Sequence, residues 1–347
     1  MRSVDMATVM EMANLHLVPA GTPNSQKVAI LYKPYEISIG YAEIPEPGDG
    51  EVRVKIKYVG ICGSDLEAYR GTRKPEFLST PARLGHEVAG VIDRIGPNVI
   101  GINVGDNVTC RYVWGAYAEY IVCKPFNVKI LPKAFPEKET SLTEILPGVL
   151  HTAELAKIDQ TKKVLIMGQG VSGLIITQVI KNYSPKCLVV TDLHEKNLAL
   201  AKKYGATHTY KIPADSTSTF ERLKKDFPDG FDVVIPCLLE GDGMVDAIEC
   251  SSLCGKIIMY GCIGVCHKPI DFFTVHRKRL EIYSTEPRRD VDMRRYFQEG
   301  IQMVLDGLVN TGELVTDIFP LSKIDEAFRL RNDKDSSAIH VLVNCES

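Results

Sequence analysis

Apolar Val52, Val54, Ile56 and Tyr58 alternate with charged residues, so residues 51–58 predict a half-buried strand. From residue 161 the pattern changes. Short apolar runs at 163–168, 187–192, 231–236 and 255–261 predict further strands, with lesser ones at 207–212 and 279–284. Helical periodicity lies between them, at 174–181, 195–204, 217–226 and 244–253, and Gly205 is a good stop for the second. Strands alternating with helices argue for a parallel sheet covered on both faces. Beyond it come an amphipathic helix at 293–306 ended by Gly307, a strand at 314–319 and a helix at 322–330. Ser322 caps that last helix, with Asp325 at the third position. A closing strand is expected at 338–343 and a short helix at 6–12.

A chain of 347 residues is long enough for two domains, and 45% apolar with 24% charged residues is ordinary for a soluble globular protein. The net charge of −3 gives no reason to expect nucleic acid or an acidic membrane as partner. No apolar run approaches the ~20 residues of a membrane span. The prefix 1–26 has no basic start, apolar stretch or small-residue cleavage site, so it does not read as a secretory signal, and a cytoplasmic location is expected. Ten cysteines invite a metal or disulfide reading. Cys250, Cys254, Cys262 and Cys266 flank an expected buried strand, which would spread them too far along a sheet to meet one ion. They read instead as small core residues in a reducing compartment.

Two stretches carry chemistry. In the first, Cys62 follows the strand end at Gly60, Ser64 is two residues on, and His86 and Glu87 follow Gly85. Cysteine and neutral histidine are good zinc ligands, and a catalytic zinc keeps three protein ligands and an open position. A lone cysteine of this kind would equally be a small buried hydrophobe. In the second stretch Gly168, Gly170 and Gly173 follow a strand and open a helix, with Val171 and Ser172 between them. Asp192 ends the next strand. This is the arrangement of a dinucleotide site, with the pyrophosphate on the helix N-terminus and the acid on the ribose hydroxyls. Asp192 would repel a 2′-phosphate, and Leu193 and His194 supply no arginine to offset it, so NAD is expected rather than NADP.

The words Gly60-Ile61-Cys62-Gly63-Ser64-Asp65 and Gly85-His86-Glu87-Val88-Ala89-Gly90 resemble those of the zinc-dependent medium-chain alcohol and polyol dehydrogenases. So do Val104-Gly105-Asp106-Asn107-Val108 and Gly115-Ala116-Tyr117-Ala118-Glu119-Tyr120, and the resemblance runs from about residue 27 to residue 343. It implies an α/β chain: a Rossmann doubly wound parallel sheet plus a GroES-like, mainly β catalytic domain. The division implied is an N-terminal extension at 1–26, the catalytic domain at 27–155 and 290–347, and the NAD-binding domain at 156–289. It further implies a catalytic zinc on Cys62 and His86, with Glu87 a ligand or its close neighbour, and Ser64 as the hydroxyl that passes the substrate's proton outward. Glu144 matches a polyol-dehydrogenase glutamate that can complete the metal shell, although Ile145 stands where relatives usually have proline. A carboxylate favoured by a helix N-terminus is the other reading of Glu144. His151 reads as structural. Where many relatives carry a four-cysteine lobe with a structural zinc, this chain has only 109–114 with Cys110, so one zinc per chain is expected. His340 stands near where relatives have a basic residue for the cofactor phosphates. The resemblance also implies a homodimer or homotetramer.

The function expected is zinc- and NAD-dependent oxidation of a secondary alcohol to a ketone, reversibly, on a small-molecule polyol, sugar, cyclitol or amino alcohol. Tyr69, Trp114, Arg288 and Arg289 are either substrate contacts or, respectively, packing and a solvated turn. The rivals are a zinc-free quinone or enoyl reductase using NAD(P)H and a non-catalytic dinucleotide-binding protein.

Overall fold

The computed structural model describes residues 15–74, 78–212, 217–238, 241–261, 266–285 and 290–346. The expected helix at 6–12 and the pair Arg288 and Arg289 lie outside these residues, as does Cys262. The chain forms two compact units, one running to Glu144 and resuming at Val315, the other spanning Ile145–Leu314.

The first unit opens with an antiparallel hairpin, β1 (Ser25–Lys33) and β2 (Glu36–Glu43). Then come β3 (Val52–Gly60), helix α1 (Gly63–Arg70), β4 (Glu87–Ile95), β5 (Asn107–Cys110), β6 (Tyr120–Cys123) and β7 (Val128–Ile130). In β3 the alternation holds at Val52, Val54 and Ile56, all fully buried. The hairpin was not marked by the sequence pattern: Val28, Ala29, Ile30 and Leu31 are buried on successive positions, so no period of two is visible.

The second unit begins with α2 (Leu146–Ala156) and holds the strand–helix alternation. Its elements are β8 (Lys163–Met167), α3 (Val171–Lys181), β9 (Cys187–Asp192), α4 (Glu195–Lys203), β10 (His208–Lys211), α5 (Thr217–Asp226), β11 (Phe231–Pro236), α6 (Gly243–Cys250), β12 (Ser251–Met259), α7 (Phe272–Lys278), β13 (Glu281–Ser284) and α8 (Asp290–Leu305). The six strands run parallel in the order β10-β9-β8-β11-β12-β13. Order reverses between β8 and β11, which is the doubly wound arrangement. Two local expectations need correction. The helix expected over 244–253 ends at Cys250, because Ser251 already pairs with Phe231 and the strand then bulges where Cys254 takes a φ of 58°. The helix α7 was not foreseen, and Arg279, expected in a strand, is its left-handed cap at φ 53°.

The chain returns to the first unit with β14 (Val315–Pro320), α9 (Ile324–Asn332) and β15 (His340–Asn344). That unit's sheet has the order β14-β15-β3-β4-β5-β7, with β6 also on β3. Its core gathers Ile56, Val59, Leu84, Val108, Tyr117 and Phe328. Tyr69 is buried there, with Tyr35 and Phe328 at ring distances of 5.2 and 5.1 Å, so packing accounts for it. The unit boundaries fall at 144/145 and 314/315, whereas the sequence reading drew them at 155/156 and 289/290. The difference is α2 and α8, which pack on one another, and α2 also packs on α3.

Candidate functional site

β3 and β4 pair antiparallel and bring Gly60 opposite Glu87. The loop after β3 turns into α1 at Cys62, so Cys62 and His86–Glu87, distant in sequence, meet at one end of this strand pair. One donor atom from each of Cys62, His86 and Glu87 lies within 4.8 Å of the others. Ser64 Oγ, in the first turn of α1, is 3.5 Å from His86 Nε2. The two chain segments are tied by Asp65, a fully buried residue to which the sequence reading gave no role. Its carboxylate accepts from Cys62 N at 3.1 Å, Gly85 N at 3.1 Å and Tyr117 Oη at 3.0 Å, and its Oδ1 is 3.6 Å from His86 Nδ1. Tyr117 Oη also contacts Gly60 O at 3.0 Å.

Glu144 is not drawn into this group. Its carboxylate pairs with Arg111 at 3.2 Å, and its carbonyl accepts from the same guanidinium nitrogen at 2.6 Å. A residue held through both side chain and backbone at the end of a 3-10 helix has little freedom to turn away. Two residues that sequence reasoning left out of the cluster border it. Trp114 lies with its ring centroid 4.7 Å from that of His86, and Arg73 sits 5.3 Å over the same indole. His340 is completely buried, with Nε2 3.4 Å from Glu87 Oε2. The sequence reading set His340 where relatives have a basic residue for the cofactor phosphates; no cue along the chain pointed to Glu87, because the pairing runs across the sheet.

The donors suit a metal ion. Sulfur, nitrogen and oxygen are the zinc set, and one donor from each of Cys62, His86 and Glu87 is already gathered in one place. Without a metal the cluster holds its protons. Burial, and then the Glu87 carboxylate, push the Cys62 thiol up. Burial pushes His86 down, but Asp65 and Cys62 push it up further, and the balance lies well above the usual imidazole value. Burial lifts Glu87 to about 7. His340 moves the other way, to about 3, through burial and then the Arg331 guanidinium. Metal uptake at these residues must therefore release protons. Glu87 is protonated below about 7 and ionised above it, so its proton steepens the climb of apparent metal affinity below that value, while the Cys62 and His86 protons keep the affinity climbing above it. Chelator competition between about pH 6 and about pH 8 checks this: the slope should ease across about 7 in the wild type but not in Glu87→Gln, and equal profiles in the two would remove Glu87 from the ligand set.

The glycine loop lies in the second unit, between β8 and α3. Gly170 is the N-cap of α3, so Val171, Ser172 and Gly173 form its first turn with their N–H groups at a helix N-terminus. A Cβ on Gly173 would lie 2.0 Å from Gly168 O, whereas one on Gly170 would meet nothing within 4 Å. The first glycine contact packs helix on strand, and the second leaves open space over the helix N-terminus. Asp192 ends β9 and is bound into this loop. Its Oδ2 accepts from Gln169 N at 2.6 Å, and its Oδ1 from His194 N at 2.8 Å and Asn197 Nδ2 at 3.1 Å. His151 Nδ1 is 2.7 Å from Thr285 O within the second unit, as a structural residue would be.

Comparison with known proteins agrees with this construction. Residues 48–133 match the alcohol dehydrogenase GroES-like domain and residues 173–305 the zinc-binding dehydrogenase domain. The chain belongs to the medium-chain dehydrogenases, a family of alcohol and polyol oxidoreductases. It is 28% identical to a sorbitol dehydrogenase of Bacillus subtilis, covering 92% of this chain and 98% of that one. It is likewise 28% identical to an L-threonine 3-dehydrogenase of a Marinomonas species, over 84% and 93%. Among solved structures, an alcohol dehydrogenase of Escherichia coli (rspB) complexed with the cofactor NADH superposes with a TM-score of 0.79. That match has 24% identity, over 92% of this chain and 99% of the other. Among the described residues no helix is long and apolar enough to cross a membrane.

Proposed function

We propose that this chain is a zinc- and NAD-dependent dehydrogenase that interconverts a secondary alcohol of a polyol or sugar and the corresponding ketone. The observation that carries the reading is the Cys62–His86–Glu87 group, three donors of the zinc set within 4.8 Å of one another with a serine hydroxyl beside them. Cys62, His86 and Glu87 would hold the ion, while Glu144 is engaged by Arg111. Bound there, zinc would polarise the substrate hydroxyl as a Lewis acid, and the nicotinamide would take the hydride. Ser64 Oγ takes the proton that the substrate gives up and hands it outward. Asp65 holds the Cys62 and His86 segments in register so that this hydroxyl stays beside the ring. The indole of Trp114, partly exposed against His86, shields the cluster from water and offers a face to the substrate's carbons.

The polyol class is favoured by the sorbitol dehydrogenase relative, while the threonine dehydrogenase relative keeps amino alcohols in the test panel. NAD is favoured by Asp192 at the end of β9. Three of its acceptor sites are filled from within the chain, which holds the carboxylate in one orientation; a carboxylate at this strand end would accept from a ribose hydroxyl and repel a 2′-phosphate. Asp192→Ala should raise the KM for NAD by about ten- to a hundredfold, the worth of a hydrogen bond to a charged group, and narrow the preference over NADP. Initial rates with both cofactors measure this, and an unchanged KM for NAD would remove Asp192 from the cofactor site. The function itself is tested by elemental analysis of the purified protein, followed by NAD reduction across polyols, sugars, cyclitols and amino alcohols. One zinc per chain with turnover of a secondary alcohol supports it. No zinc, with NADPH-driven reduction of quinones, would replace it by the zinc-free reductase.

A further inference from the structure

His340 and Glu87 meet over a glycine. β15, β3 and β4 lie side by side, and Gly60 of β3 is in register with both Leu342 and Glu87. A Cβ on Gly60 would lie 2.2 Å from Glu87 Oε2 and 2.5 Å from His340 Nε2. The missing side chain is thus the space the two groups share, with Nε2 and Oε2 3.4 Å apart. Both residues are essentially without solvent exposure, and Oε2 and both ring nitrogens of His340 lack a hydrogen-bond partner. Three unpartnered polar atoms in one buried space are more than a packed core tolerates without a reason.

We propose that His340 is the positioning residue of Glu87: across the gap at Gly60 its imidazole N–H fixes Oε2, leaving the carboxylate's other oxygen for the ion shared with Cys62 and His86. The inference rests on the metal-site reading above. An ionised carboxylate oxygen is a full acceptor, and the imidazole is the donor already facing Oε2. Carboxylates that ligate metals are themselves held by hydrogen bonds, and loss of such a partner typically weakens metal binding by about 10- to 100-fold. The gap explains why β3 ends in glycine: any other residue would drive the pair apart.

The test uses the full chain, stripped of metal and titrated with zinc in competition with a chelator, and with cobalt to read the donor set by visible absorption. His340→Leu should weaken zinc binding by about tenfold or more and alter the cobalt spectrum. His340→Gln, whose amide N–H can reach the same oxygen, should restore most of both. In a Glu87→Ala background His340→Leu should add nothing, since the two act through one contact. Equal losses in both backgrounds, or wild-type binding by His340→Leu, would overturn the proposal while leaving the metal site standing. A wild-type protein that binds no zinc would overturn both. Should His340→Leu not fold, Gly60→Ala decides: its methyl group occupies the shared space, and unchanged zinc affinity would count against the proposal.

Discussion

Cys62→Ala yields a folded protein that takes up no zinc and loses on the order of 10³-fold or more in kcat/KM, the loss expected when several kcal/mol of Lewis-acid stabilisation disappears. The fold survives because the loop is tied through the Cys62 backbone N–H to Asp65, a bond alanine keeps. The thiol's own partners are His86 and Glu87, inside the cluster, and burial holds it protonated until a metal arrives. What alanine removes is one of three donors within 4.8 Å, and two protein ligands do not hold a catalytic zinc. Circular dichroism, elemental analysis and NAD reduction together give the result. A Cys62→Ala protein with a full complement of zinc would sink the site as drawn, and His86→Ala should reproduce the loss independently.

Asp65→Ala should act on stability first and on metal second. The substitution removes a completely buried carboxylate with its three hydrogen bonds and its contact with His86; Cys62 N and Gly85 N are left without an acceptor, while the Tyr117 hydroxyl keeps Gly60 O. Buried donors without acceptors cost about 1–3 kcal/mol each, so a loss of about 3 kcal/mol or more is expected. For a unit of this size that corresponds to a fall of roughly 10 °C in Tm. The fall should be present in metal-free protein, which separates it from Cys62→Ala, where the metal-free melting point barely changes. Zinc affinity should drop as well, because His86 and Cys62 no longer share an anchor. A metal-free Tm equal to the wild type would show that Asp65 does not knit the two segments.

Much of this was legible in the chain. The buried runs at 163–168 and 187–192 with glycines between them read directly as β8, the turn and β9, because the apolar runs and the glycine turn are features of the local sequence. The fold class followed, since alternating strands and helices leave few ways to cover a sheet. Cys62, His86, Glu87 and Ser64 were found as words in a familiar order. What the words could not give was pairing across the sheet. His340 was matched to a cofactor-phosphate residue of relatives; its tie to Glu87 exists only because β15 lies on β3 and β3 on β4. Asp65 was in view but its work depends on Gly85 and Tyr117, 20 and 52 residues away. Glu144 matched the metal-ligand register, yet Arg111, 33 residues earlier, holds it. The helix end at Cys250 was misjudged because helix and strand abut there with no turn residue between them.

The way the first unit is split along the chain has a consequence for how the protein is made. Its sheet is closed by β14 and β15, which are encoded after the whole of Ile145–Leu314. A ribosome adds about 5–20 residues per second, so Gly60 waits on the order of tens of seconds for His340 to exist. In that interval the second unit, one unbroken segment, can emerge and fold by itself, while β3 still has an open edge. Birth order and folding order are thus inverted: the half that is translated first is the half that is finished last.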